Sequence, residues 1–300
     1  MLIWLFIIIL SYLFFSLSSF GDKLVLSSRA NPKLYTFYVG FLSILVVFLI
    51  PFIKFDFPSF TALIWIILEA IVYLLALYSM FLALEKFDVS RVIPTIGAIQ
   101  PMLILVLTWI FWGPQIMRKM DFLAFIMLFL GSIIISMEKT QKITVDFLKL
   151  SMFSSLMFSL DYVFSKFIFL NQPFLQGIIW MRIFSFLFVL IFLFSKEFRK
   201  EVFTKQTILD KKRGFVFLFA QLSGGIAYFL QSFAISLVPI AYLAVINSLR
   251  GVQYIFLFII TLFFSFLFPK ILKEKVSKKI IIQKTISILL IVSGLAILIF

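Results

Sequence analysis

PIAYLAVINSLRGVQYIFLFIITLFFSFLF, residues Pro239–Phe268, decides the fold. The run is almost wholly apolar and longer than the ~20 residues that cross a bilayer as a helix. Inside it stand Asn247, Arg250 and Gln253, with Gly251 beside the arginine. Residues at i, i+3 and i+6 share one broad face of a continuous helix. An arginine at membrane depth costs about 2.5–3.5 kcal/mol on insertion scales, so it has to face protein or a water-filled cavity. The run therefore predicts one unbroken helix whose polar stripe lines a cavity.

The rest of the chain agrees with a membrane setting. Of its 300 residues 63% are hydrophobic and 13% charged, and the mean hydropathy is +1.18. A soluble fold could not cover itself with so little charge. Apolar runs fall at 2–20, 34–53, 61–84, 89–112, 121–137, 147–170, 174–195, 214–237, 239–268 and 280–300. Each is long enough for a transmembrane helix, and short loops join them. Run 1 has no charged leader ahead of LIWLFIIIL and reads as a retained helix rather than a signal peptide. The longest connection is Lys196–Arg213, and no soluble domain fits anywhere. Lys139–Lys149, with Glu138 and Asp146, reads as a solvated linker between halves.

Weak matches recur in one order along the chain. Phe15-Ser16-Leu17 precedes Lys23 as Phe158-Ser159-Leu160 precedes Lys166, and Pro32 and Pro173 open the next runs. LALEKFDVSRVIPTIG (82–97) resembles FAISLVPIAYLAVINS (233–248). Pro114 and Pro269 follow the next helices, and Gly131 and Gly294 sit alike in the last run of each half. The expected architecture is an all-α membrane protein of ten helices, with five-helix halves over 1–138 and 147–300. An odd number per half makes this an inverted 5+5 repeat, with a site between the halves near the midplane.

The net charge of +14 raises a nucleic-acid partner, but the basic residues fall in short loops, as topology requires. Alternate loops hold most of them: Lys23, Arg29, Lys33, Lys139, Lys142, Lys205, Lys270, Lys273 and Lys275 among others. The opposite loops hold Lys54, Arg118, Lys119 and Lys166. The positive-inside rule puts the rich loops in the cytoplasm and both termini outside.

Depth arithmetic places four charges in one layer. Glu69, Arg182, Arg250 and Asp161 lie roughly 12–15 Å from the charge-poor face, at about 1.5 Å per residue. Asn247 lies near that layer, Gln100 nearer mid-bilayer and Gln221 nearer the basic face. Asp161 and Arg182 either lock two helices as a pair or serve a substrate, and Arg182 could instead snorkel outward. Glu69 is a structural partner, a substrate ligand or a proton site. Arg250 is the leading binding candidate, because Asn247 and Gln253 extend its face. Gln221 and Gln231 read as helix glue; Tyr73, Tyr228 and Ser16 are candidates for a cavity wall. The 43 Phe read as packing and lipid-facing mass. With no Cys and no His, any coupled proton falls to Asp or Glu. No phosphate loop, dinucleotide turn, metal-ligand cluster or nucleophile elbow is found, so no cofactor and no enzymatic activity is expected.

The chain resembles the drug/metabolite transporter superfamily, in particular its EamA-type members with ten helices. SLSSFGDKLVL (16–26) and SLDYVFSKFIF (159–169) carry this at the ends of helices 1 and 6. Helices 4 and 9 carry it as SRVIPTIGAIQPMLILVLTWIFWGP (90–114) and AYLAVINSLRGVQYIFLFIITLFFSFLFP (241–269), and KKIIIQKTISILLIVSGLAILIF (278–300) resembles the final helix. Pro101 matches a proline frequent in helix 4. The acidic residue common after that helix is replaced by Gly113-Pro114-Gln115, and helix 2 lacks the family's arginine near Gly40. The resemblance implies a multi-pass plasma-membrane secondary transporter, often an exporter, of a small polar or charged metabolite. Helices 1, 3, 4, 6, 8 and 9 would surround the cavity.

On this reading Arg250 and Asn247 bind an anionic or zwitterionic metabolite and Glu69 balances charge or carries a proton. Gln253, Gln100, Gln221 and Tyr73 complete the binding set, and Asp161, Arg182 and Glu69 form the charge-pairing or coupling set. The alternative is a flippase for a lipid-linked sugar or phosphate, which needs a side opening between helices. A membrane-embedded enzyme and a structural subunit are the readings from other classes. The expected partners are a small-molecule substrate and the lipid bilayer, with a homodimer left open and no nucleic acid.

Overall fold

Residues 3–26, 32–87, 89–113, 118–136, 144–203, 211–267 and 278–299 are described by the structure, a computed structural model. Several basic residues behind the topology argument (Arg29, Lys139, Lys142, Lys205, Lys270, Lys273 and Lys275) lie outside these, as do Glu138, Pro114 and Pro269. The described residues are helical throughout, apart from short connections.

In chain order the helices are α1 (Ile3–Leu26), α2 (Pro32–Leu42), α3 (Phe60–Lys86), α4 (Val89–Trp112), α5 (Lys119–Ser136) and α6 (Val145–Asn171). They continue as α7 (Phe174–Val189), α8 (Lys196–Phe203), α9 (Lys211–Leu237), α10 (Leu243–Ser248), α11 (Arg250–Leu267) and α12 (Lys278–Ile299). Eight helical stretches among the described residues are long and apolar enough to cross a membrane. The protein is therefore a multi-pass membrane protein. Helices α5 and α12 are the remaining long ones, the second with a shorter apolar stretch, Ile282–Leu298.

Local chemistry sets several boundaries. Ser59 Oγ accepts from Ala62 N at 3.3 Å to cap α3, and Thr144 Oγ1 does the same for Phe147 N on α6. That cap starts α6 at Val145, so Asp146 and Lys149 are helical rather than part of a linker. Lys166 likewise lies inside α6 and is buried, not in a loop.

Three runs depart from single α-helices. The second run is α-helical only to Leu42 and then winds as a 3₁₀-helix over Ser43–Phe52, with Pro51 inside it. The seventh ends the same way over Leu190–Phe194. The deciding run, Pro239–Phe268, is not continuous: a 3₁₀ turn at Ile240–Tyr242 leads into α10, and Leu249 separates α10 from α11. The connection Lys196–Arg213 holds the short helix α8.

The most extensive packing joins α1 to α9, α3 to α6 and α5 to α12. Close approach rests on small residues, as in other membrane bundles. On α6, Ser154 Oγ donates to Ala76 O on α3 at 3.1 Å, and Ser155 Oγ to Ile96 O on α4 at 3.2 Å. A Cβ at Gly131 would stand 2.7 Å from Ile291, and one at Gly294 2.8 Å from Leu128, so α5 and α12 touch through their glycines. Lys166 Nζ donates to the carbonyls of Ile235, Ser236 and Val238 at 3.0, 3.2 and 2.6 Å, capping α9 from α6.

Candidate functional site

A cavity of about 590 Å³ lies within the bundle, walled by α1, α2, α3, α4, α6, α7, α9 and α11. Three polar clusters are set along it.

The first cluster joins α3 to α7. Arg182 donates to Glu69 Oε1 at 2.5 Å and to Tyr228 Oη at 2.9 Å, and Tyr228 Oη donates to Glu69 Oε1 at 3.1 Å. The guanidinium is sandwiched between the rings of Tyr73 and Tyr228, at 4.1 and 4.3 Å from their centroids. Stacking and pairing together suit the planar, weakly hydrated guanidinium to this buried place. Asp161 on α6 is next to Glu69, within hydrogen-bonding reach of it. The expected Asp161–Arg182 pair is thus an Arg182–Glu69 pair, with Asp161 as neighbour. Arg182 does not snorkel: it is 6% exposed.

The second cluster surrounds Arg250, the first residue of α11. Its guanidinium donates to Gln100 Oε1 on α4. A Cβ at Gly97 would collide with the stem of Arg250 and the hydroxyl of Tyr254, so glycine makes the space in which both lie. Gln253 donates to Ser19 Oγ on α1 at 3.2 Å. Asn247 sits on α10, across the break from Arg250. It is fully buried beside Tyr162, away from the cavity wall, with both polar side-chain atoms unpartnered.

The third cluster is at the basic end. Tyr35 on α2 donates to Asp22 Oδ1 on α1; Gln221 on α9 donates to Tyr35 Oη at 3.0 Å and to Asp22 at 3.3 Å. Asp22 and Tyr35 were not singled out from the sequence. Asp22 stands beside Lys23 and reads as part of a loop, although α1 runs on to Leu26. A signal was available: Asp22 follows Ser18 and Ser19 at helical spacing.

Asp161, Arg182 and Arg250 of the expected layer line one cavity, and Glu69 is bonded to Arg182. Arg250, Gln253, Gln100, Gln221, Tyr73, Asp161 and Arg182 line the cavity; Glu69 stands behind Arg182. Several wall groups keep unpartnered atoms: Gln100 Nε2, Asp161 Oδ1, Arg182 Nε, Gln231 Oε1 and Arg250 Nε. A buried polar group left without a partner costs about 1–3 kcal/mol, so such a concentration is uncommon in a packed core. Among the described residues, no group of three or more His, Cys, Asp or Glu could hold a metal ion.

No model of a known protein family matches the chain, and no curated protein matches it. A solved structure described as "Crystal structure of protein" is similar over 97% of this chain and 94% of that one, with a TM-score of 0.66 and 13% sequence identity. At that identity the likeness concerns the fold alone: the helical bundle is one that an experimental structure also adopts.

Proposed function

We propose that this protein is a secondary transporter of a small polar or charged metabolite. It works by alternating access in the plasma membrane, and export is the direction that the resemblance to EamA-type drug/metabolite transporters suggests. The observation that carries this reading is the cavity at membrane depth, lined by the polar side chains of Gln100, Asp161, Gln231 and Arg250. A structural subunit has no use for such groups.

In this reading α5 and α12 also span the membrane, giving ten spans in two inverted halves, 1–138 and 147–300. The packing supports it. Exchanging α1 with α6 and α3 with α9 maps the α1–α9 pair onto α6–α3, and α4–α6 onto α11–α1. The α5–α12 pair maps onto itself, glycine for glycine. Other pairs break the pattern: α3 packs on α7, and α5 on α10 and α11, but the corresponding α9 and α2, and α12 and α4, pack sparsely. Such asymmetry is what one of two exchanging states would have. The Arg182–Glu69 bridge holds α7 on α3 in this state, and it would part in the other.

Arg250 is the binding group, released from Gln100 when substrate takes its place, and Gln253 and Gln100 complete the contact. The test is flux into liposomes of labelled amino acids, nucleosides and sugars, with and without a pH gradient. Arg250→Ala is expected to abolish accumulation at normal protein levels. Undiminished flux in that variant removes Arg250 from the mechanism; no flux of any compound in the native protein removes the transport reading.

A further inference from the structure

One wall of the cavity does not close. The 3₁₀ extension of α2 and the middle of α9 both line the cavity, yet these helices approach one another only near their basic ends. There the Tyr35 ring meets Phe217 edge-on, with centroids 5.5 Å apart, and Gln221 bonds the Tyr35 hydroxyl. Toward the charge-poor end, Phe174 of α7 packs on Phe229 and Phe233 at 5.2 and 5.0 Å. Between these two seals, Leu45, Leu222 and Ile226 line the cavity while 49, 62 and 47% exposed. Leu222 and Ile226 lie roughly 12 and 18 Å along the apolar span that starts at Gly214, at about 1.5 Å per residue. That is the middle of a hydrocarbon core about 30 Å thick.

We infer that the gap between α2 and α9 is a side portal to the bilayer, and that the transported molecule is a small amphiphile with an apolar body and a polar head. This rests on the transport reading. At that depth exposed leucine and isoleucine face acyl chains, and a solute crossing between them has to shed its water first. An apolar body makes this step favourable; a bare polar metabolite would not take it. The head is read from the inner end of the cavity. The wall there carries the amides of Gln100 and Gln231, the carboxyl of Asp161 and the guanidiniums of Arg182 and Arg250. Both guanidiniums already have partners, Arg182 with Glu69 and Arg250 with Gln100. This mixture of amide, carboxyl and guanidinium groups suits a head that both donates and accepts hydrogen bonds. A cavity of about 590 Å³ holds a drug-sized molecule.

The experiment photolabels the full chain in liposomes with decanamide carrying a mid-chain diazirine, and maps the adducts by peptide mass spectrometry. Saturable labelling of cavity residues such as Tyr73 and Gln231 is expected. The double substitution Leu222→Trp, Ile226→Trp should cut it roughly tenfold. Leu289→Trp, equally lipid-exposed but on α12, should leave it unchanged. Leu45→Trp plugs the opposite lip and serves if the double variant does not fold. A membrane-impermeant, diazirine-bearing N-acetylglycinamide should label the cavity only weakly. The portal is overturned if decanamide leaves the cavity unlabelled, if both plugs leave labelling undiminished, or if the water-soluble amide labels it as strongly. Flux in the same liposomes separates the two readings. Flux of hydrophilic metabolites without side labelling keeps transport and removes the portal; side labelling without flux of decanamide keeps the portal and removes transport.

Discussion

Arg182 is the residue around which the buried charges are arranged. Its side chain is 7% exposed and that of Glu69 not at all. Removing one partner of such a pair leaves the other charged in a dry place, which costs about 3–5 kcal/mol. Replacing both with apolar groups of similar volume is often neutral or stabilising. Arg182→Ala is therefore expected to lower the midpoint of thermal unfolding in detergent sharply. The double variant Arg182→Met, Glu69→Leu should recover most of that loss yet remain inactive in flux. Recovery of both stability and flux would make the bridge mere scaffolding. Tyr73 and Tyr228 clasp the guanidinium faces, so a lysine here would lose both stacking contacts and the fork geometry.

At the level of helices, glycine and 3₁₀ turns do what side chains cannot. Gly131→Leu would drive a branched side chain into Ile291 and the Ser287 carbonyl, where even a Cβ would stand 2.7 and 3.1 Å away. Overpacking of this kind costs about 1–3 kcal/mol. Helices α5 and α12 should separate first, read as a lower unfolding midpoint with flux of the surviving protein retained. A normal midpoint would show that the two helices yield freely. The 3₁₀ segments that end the second and seventh runs have tighter winding and poorer hydrogen bonds than α-helix, and such stretches often mark hinges. Ser43 Oγ donates to Arg182 O at 3.1 Å where α2 crosses α7, so the first 3₁₀ segment is anchored beside the buried bridge.

For the whole bundle, alternating access makes a distance prediction. The chain contains no cysteine, so spin labels can be placed at Leu45→Cys and Leu222→Cys without other changes. Pulsed electron resonance in liposomes should resolve two separations, one shorter than the present gap, and a transported compound should shift their populations. A single separation under all conditions would leave α2 and α9 static and would count against exchange through this gap.

Ten apolar runs, their approximate limits and the presence of a charged layer were legible in the chain. Each follows from local rules, namely the length needed to cross hydrocarbon and the cost of leaving a guanidinium or carboxylate in it. Counting residues along straight helices put Glu69, Arg182, Arg250 and Asp161 at one depth, and Asp161, Arg182 and Arg250 line one cavity. Which of them pair did not follow, because depth fixes one coordinate and leaves rotation about each axis free. So Arg182 meets Glu69 from α3 rather than Asp161 from α6. The interruption at Leu249 had no marker inside an apolar run, and Asn247 before it lies off the cavity wall. Asp22 was hidden because its buried partners, Tyr35 and Gln221, are 13 and 199 positions away along the chain. The gap between α2 and α9 depends on how eight spans divide the space among them, and helix packing rather than composition sets that.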